Sequence, residues 1–212
     1  MDTKKVDPLR GTPEWYEGQA YFELTDEEGG RGAYKRFDET IGFYRQFAIM
    51  VDVGFGIFKH SLLDVGCAKG ISVLSYHERS AIAHGTDISF YVEEAAPIAI
   101  RDRVWQGDLG RPYEEWMSRK PARLQSKFWL VTCVECLEHV FPWRVPTAIT
   151  NLARTAEKWL FLTVPTNTQW DGNMEHLCIR ENQWWHDKFA QFAPNLLRRL
   201  DYEDIFRRVC MP

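Results

Sequence analysis

Long apolar runs are missing from the 212 residues, so the sequence offers no membrane-spanning helix. The opening stretch, Met1-Asp2-Thr3-Lys4-Lys5-Val6-Asp7-Pro8, lacks the apolar centre of a secretory leader. An excess of one charge is missing too. Against 26 Lys+Arg stand 30 Asp+Glu, a formal net charge of −4. That balance excludes a protein that holds nucleic acid by bulk charge and leaves room only for a local basic patch. Cysteines number five, an odd count in a chain read as leaderless, which implies reduced thiols and a cytoplasmic setting. No segment repeats at a fixed period, which sets aside solenoids and propellers.

What is present suits a folded domain. Apolar residues make up 45% and charged ones 26%, ordinary values for a soluble chain with one main core. Aromatics are plentiful, with 9 Trp, 13 Phe and 8 Tyr. Such residues fill cores or line pockets and interfaces.

Residues 1–59 form a first unit, a polar segment with the aromatic pairs Trp15-Tyr16 and Tyr21-Phe22, followed by a helix. From Tyr34 to about Val53, Phe37, Ile41, Tyr44, Phe47, Ala48 and Val51 recur at helical spacing. Residues 60–212 form the main unit. Ser61–Val65, Ala81–Asp87, Arg103–Asp108, Phe128–Cys133 and Trp159–Val164 read as short apolar strands. Helical patterns fall at Ile71–Glu78, Phe90–Ile100 with a break near Pro97, Pro146–Ala156 and Glu181–Leu200. This alternation predicts an α/β fold, a mostly parallel sheet with helices on both faces. No hairpin follows Leu200, so the end of the sheet is shortened or carries one edge strand from Ile205 to Cys210.

Ligands of open α/β sheets bind beyond the carboxyl ends of the strands. After the first strand comes Asp64-Val65-Gly66-Cys67-Ala68-Lys69-Gly70, a turn whose small residues let a ligand approach the backbone. Asp64 can position that loop or meet a cationic ligand. The turn lacks the G-x-G-x-x-G spacing of dinucleotide sites. Asp87, closing the second strand, can accept from a ribose diol or cap a helix. Asp108, after the third, can accept from an exocyclic amine or simply shape a turn. After the fourth strand, Glu138 and His139 bring an acid and an imidazole to the same mouth.

Leu62–Gly70, Gly85-Thr86-Asp87-Ile88-Ser89, Gly107-Asp108-Leu109 and Leu137-Glu138-His139-Val140 occur in one order and spacing. Together they resemble the class I S-adenosylmethionine-dependent methyltransferases, over roughly residues 60–190. The resemblance implies a Rossmann-like sheet and S-adenosylmethionine as cofactor. It also implies that the loop of Asp64, Gly66, Cys67, Ala68 and Gly70 holds the methionine part. Asp87 and Ile88 would meet the ribose, and Asp108 and Leu109 the adenine. Cys133, Val134 and Glu135 would flank the sulfonium. Ala68 stands where the family has a middle glycine, a departure expected to be mild because a methyl group is small. The helix before the main unit becomes a lid, with Trp15, Tyr16, Tyr21 and Tyr34 near the cofactor mouth and Tyr34 among the cofactor contacts.

Val164-Pro165-Thr166, Asp171, His176 and Trp184-Trp185 resemble a subset of these enzymes acting on sugars, glycans or other small hydroxylated metabolites. Neither the proline-rich turn of amine methylation in DNA nor a Pro-Cys pair is present, so the expected partner is a small-molecule acceptor and not nucleic acid. An O–H acceptor leads, with amine or carboxylate second. Methyl transfer to a hydroxyl needs a proton acceptor. His139 and His176 are the candidate bases, and Glu138 can orient an imidazole. Each histidine can equally be structural.

Three rival readings remain at this point. Cys133-x-x-Cys136-x-x-His139, with His176 as fourth ligand, has zinc spacing. Since Cys133 ends a strand facing the cofactor, no metal is expected. A non-catalytic cofactor-binding subunit would keep Asp64, Asp87 and Asp108 but lack a base. A nicotinamide-dependent dehydrogenase would use a similar sheet, against which the glycine spacing and Asp108 weigh. His60, His84 and His186 form no pattern.

Overall fold

The computed structural model describes residues 12–16, 37–165 and 176–194, with side chains from residue 40 onward in the first helix. Tyr21, Phe22, Tyr34, Thr166, Trp170, Asp171 and the expected edge strand Ile205–Cys210 lie outside the described residues.

Among the described residues, five strands form one sheet: β1 (Ser61–Val65), β2 (Ile82–Asp87), β3 (Val104–Gln106), β4 (Phe128–Val134) and β5 (Ala156–Thr163). They run parallel in the order β3-β2-β1-β4-β5. The order reverses between β1 and β4, which opens a crevice at their carboxyl ends.

Helices cover both faces. On one lie α1 (Phe37–Phe55), α2 (Ile71–Glu78) and the single turn α3 (Val92–Ala95). On the other lie α4 (Tyr113–Trp116), α5 (Val145–Thr155) and α6 (Asn182–Phe192). Successive strand residues face opposite ways. Leu62, Ala83 and Leu130 therefore join a cluster with Ala48, Val51, Val73 and Tyr76, while Leu63, Val131 and Phe128 join one with Ile149, Leu152 and Phe189.

Helix α1 is held onto this sandwich. Arg45 forks onto Glu78 at 2.7 and 2.8 Å, Arg79 meets Asp52, and Phe47 and Phe55 pack on Phe161 of β5. The expected helix over Phe90–Ile100 shrinks to α3. Ala96, which precedes Pro97, is extended (φ −62, ψ 140), as proline requires of the residue before it. Strand β5 begins three residues earlier than its apolar run, because Ala156 pairs with Phe128 through the backbone while Glu157 and Lys158 stay exposed on the sheet edge. Helix α4 has no counterpart in the sequence reading. Among the described residues no helix is long and apolar enough to cross a membrane.

Candidate active site at the carboxyl ends of the strands

The loop after β1 is tied to β2, since the N–H groups of Gly66 and Cys67 both donate to the carbonyl of Thr86, at 2.8 and 3.2 Å. Gly66 has φ 79, and a Cβ there would stand 2.6 Å from the sulfur of Cys136. Glycine is thus needed both for conformation and for space. Ala68 also lies in the left-handed region, at φ 49. Its departure from the family pattern is a matter of backbone conformation and not of methyl size alone, costing about 1 kcal/mol relative to glycine. Two contacts offset that cost: the Ala68 N–H donates to Asp87 Oδ2 at 2.8 Å, and the buried methyl packs with Tyr16.

Asp64 is buried beneath this loop and accepts hydrogen bonds from Ser72 and, at 2.6 Å, from Thr132. Burial raises its pKa to about 6, against the two hydroxyls, which favour the charged form. It ties β1, α2 and β4 together under the loop.

At the end of β2, the second oxygen of Asp87 accepts from the Ser89 N–H at 3.0 Å. Two backbone donors thus fix the carboxylate at the rim. At the end of β3, Asp108 Oδ1 accepts from the Gly110 N–H at 2.9 Å, and Oδ2 meets Arg111 at 3.3 Å and Arg144 at 3.2 Å. Between the two carboxylates opens a cleft of about 600 Å³ including its mouth, within the range of small-molecule sites. Gly66, Asp87, Ile88, Asp108 and Leu109 line one side, Glu135, Cys136, His139 and Val140 the other, and Tyr16 also borders it.

The second wall is the turn after β4. Glu135 takes φ 47, an uncommon conformation that concentrates at functional sites. Its carboxylate accepts from the Thr163 hydroxyl at 2.7 Å, and its N–H donates to the Thr163 carbonyl at 3.2 Å. A single helical turn then spans Leu137–His139. Glu138 is fully buried there. Its carbonyl accepts the N–H groups of Leu177 (2.8 Å) and Cys178 (2.9 Å). Those two bonds bring the 176–178 segment against the turn, so that the His139 and His176 rings meet edge to face at 5.0 Å between centroids. Tyr16 approaches His139 the same way at 6.4 Å.

Of the residues expected to meet a cofactor, Gly66, Asp87, Ile88, Asp108, Leu109 and Glu135 reach the cleft. Cys67 and Cys133 do not. Their side chains fill the two core clusters on opposite faces of the sheet: Cys133 continues the alternation of β4, whereas Cys67 lies past the end of β1, after Gly66 with φ 79 has turned the chain out of the strand's alternation. Val134 packs on the α1–α2 side, Asp64 lies below the loop, and Gly70 caps α2 with φ 72. Cys136 takes the place expected of Cys133, together with Gly107 and Val140. Its signal in the sequence is its position three residues past Cys133, on the turn after the strand. The hydrogen bond with Cys133 and burial push the Cys136 thiol well up. Among the described residues the donors that converge are those of Glu138, His139 and His176, not the Cys133-Cys136-His139 set.

A family model for a methyltransferase domain matches residues 22–209. The ubiquinone biosynthesis O-methyltransferase of Histophilus somni (strain 2336) is 31% identical over 86 residues, 40% of this chain and 36% of its own length. Its counterpart in Escherichia coli (strain E2348/69) is 30% identical over 113 residues, 53% of this chain and 46% of its own. The chain therefore spans less than half the length of these curated relatives. Among solved structures, a SAM-dependent methyltransferase of Archaeoglobus fulgidus aligns with TM-score 0.55 and 16% identity, covering 79% of this chain and 72% of its own. Magnesium protoporphyrin IX methyltransferase of Synechocystis PCC 6803 with bound SAH gives 0.54 and 16%, covering 76% and 78%. At these identities the likeness is one of fold.

Proposed function

The chain belongs to the methyltransferase-domain family, in its class I form, and on that premise we propose that it transfers a methyl group from S-adenosylmethionine to a hydroxyl of a small molecule. The observation that carries this reading is the pair of carboxylates, Asp87 and Asp108, at the ends of adjacent strands and on the wall of one cleft. They suit the two polar edges of an adenosyl group: a hydroxyl pair for Asp87, held by two backbone donors, and an amine for Asp108. Ile88, Leu109 and Val140 supply apolar surface for the ring between them. The loop of Gly66 and Ala68 lies where the methionine part would run.

When bound, S-adenosylmethionine supplies a methyl group on a sulfonium, open to in-line attack. The chain's part is to align the acceptor and to deal with its proton. Glu138, His139 and His176 are the groups for that task. Tyr16, at the border of the cleft beside His139, shields the reacting atoms from water. In this reading the chain works in a reducing cytoplasm, where Cys67, Cys133, Cys136 and Cys178 stay thiols.

Transfer to oxygen is favoured over nitrogen because the named activity of the curated relatives is O-methylation. Phe141 and Trp143 stack at 4.6 Å beside the Glu138-His139 turn, with Trp143 72% exposed. That aromatic ledge suits a planar or sugar-like ring. The test is incorporation of labelled methyl from the cofactor into a panel of phenols, catechols, sugars, amines and carboxylic acids. Labelling of phenols or sugars is expected, and a His139→Ala variant should lose at least about tenfold of that rate. Labelling confined to amines or acids would overturn the oxygen assignment.

A further inference from the structure

We propose that Glu138, His139 and His176 form a binding site for one divalent transition-metal cation in the wall of the cleft. The site stands on its own geometry; its role, to hold and acidify the acceptor hydroxyl, rests on the methyltransferase reading above.

The ligand atoms of the three residues all lie within 4.8 Å of one another. Ligands at roughly 2.0–2.2 Å from a tetrahedral or octahedral cation stand about 3–3.5 Å apart, so shifts of about an ångström bring all three onto one ion. Two imidazoles and a carboxylate are the donor set of many catalytic zinc and non-haem iron sites, and it leaves coordination positions open for another oxygen. Imidazole donors favour zinc, cobalt, nickel, copper or iron(II) over magnesium, calcium and manganese, which prefer oxygen ligands.

The site is also built. The carbonyl of Glu138 accepts from both Leu177 and Cys178, so the backbone that carries one histidine is clamped to the backbone that carries the acid and the other histidine. Leu137 and Cys178, the neighbours on either side, are completely buried, which fixes the direction of the turn. His139 borders the cleft together with Glu135 and Tyr16. A cation held here faces the same space as Asp87 and Asp108.

A cation of this kind lowers the pKa of an oxygen placed on it. The hydroxyl proton of the acceptor then passes to water. The acceptor oxygen's electron pair forms the new O–C bond as the C–S bond breaks, with that bond's pair going to sulfur to leave a neutral thioether. On this account the two imidazoles are ligands, and neither has to carry the proton.

The test uses the full chain, stripped with a chelator and titrated with cobalt(II), whose visible absorption reports imidazole ligation. One equivalent per chain is expected. His176→Ala should weaken it by at least about 100-fold, beyond the effect of losing an outer partner of a metal site. Glu138→Gln should do the same, scored only if the variant still melts cooperatively, because Glu138 is fully buried. Cys133→Ser and Cys136→Ser should leave cobalt binding unchanged. Binding of S-adenosylhomocysteine is measured on the same samples. Absence of stoichiometric cobalt binding, wild-type affinity in His176→Ala, or loss on the cysteine substitutions overturns the site. If the cofactor product binds while cobalt does not, the cation site falls and the methyltransferase reading stands. If cobalt binds as expected while the product does not, the site stands and its assigned role falls.

Discussion

Replacing Asp87 with alanine is expected to weaken binding of S-adenosylhomocysteine by about 100-fold or more. The carboxylate sits at the end of β2 on the wall of the cleft, its direction set by the N–H groups of Ala68 and Ser89. Charge-assisted hydrogen bonds contribute roughly 1.5–3 kcal/mol each. Losing two of them to a ribose removes about 3 kcal/mol, and each 1.4 kcal/mol is tenfold in affinity. The substitution also releases the Ala68 N–H, so the strained loop after β1 loses one of its holds. Asp87→Asn keeps an acceptor without the charge and should fall between, with about a tenfold loss. Calorimetric titration well below the melting temperature separates affinity from stability. Unaltered affinity in Asp87→Ala would remove the carboxylate from the cofactor's reach.

The second large effect concerns the fold that holds Asp108. Trp116 is completely buried at the end of α4, and its ring lies against Gly107, where a Cβ would stand only 2.9 Å from the ring's Cδ1. The same ring shares a core cluster with Leu109, so it packs beneath the turn that carries Asp108 and Leu109 at the cleft. Truncating a buried Trp to alanine costs about 3–5 kcal/mol from lost burial and the cavity left behind. Trp116→Ala should therefore lower the chemical-denaturation midpoint sharply and weaken cofactor binding as well. Trp143→Ala, at an exposed position, should leave stability within about 0.5 kcal/mol. Equal, small effects from the two would contradict the packing described.

These two residues also mark what the amino-acid pattern carries and what it does not. Asp87 was legible because the short strand-like stretch Ala81–Thr86 runs into a polar turn, and strand ends of a parallel sheet face one crevice. For the same reason β1, α2, β2 and β4 fall where the sequence puts them. Trp116 was not legible. Helix α4 is a single turn started at Pro112, too short to show periodicity. The start of β5 was hidden because its first residues pair through the backbone while their side chains are polar. Ala68 looked like a nearly neutral replacement for glycine, since sequence reports side-chain size and not the sign of φ. The motif points Cys67 and Cys133 at the cofactor, yet strand alternation turns Cys133 inward, the left-handed turn at Gly66 sends Cys67 into the core, and Cys136 on the turn after β4 takes up the wall. The meeting of His139 with His176 depends on two backbone hydrogen bonds to the carbonyl of Glu138, and backbone bonds between distant segments leave no trace in residue identity.

The central claim is that the crevice between β1 and β4 is an S-adenosylmethionine site and not a nicotinamide site. The direct measurement is a pair of equilibrium titrations of the unaltered chain, one with S-adenosylhomocysteine and one with NAD. The account predicts saturable binding of the first at one site per chain and none of the second. Saturable binding of NAD, with no response to S-adenosylhomocysteine, would contradict it.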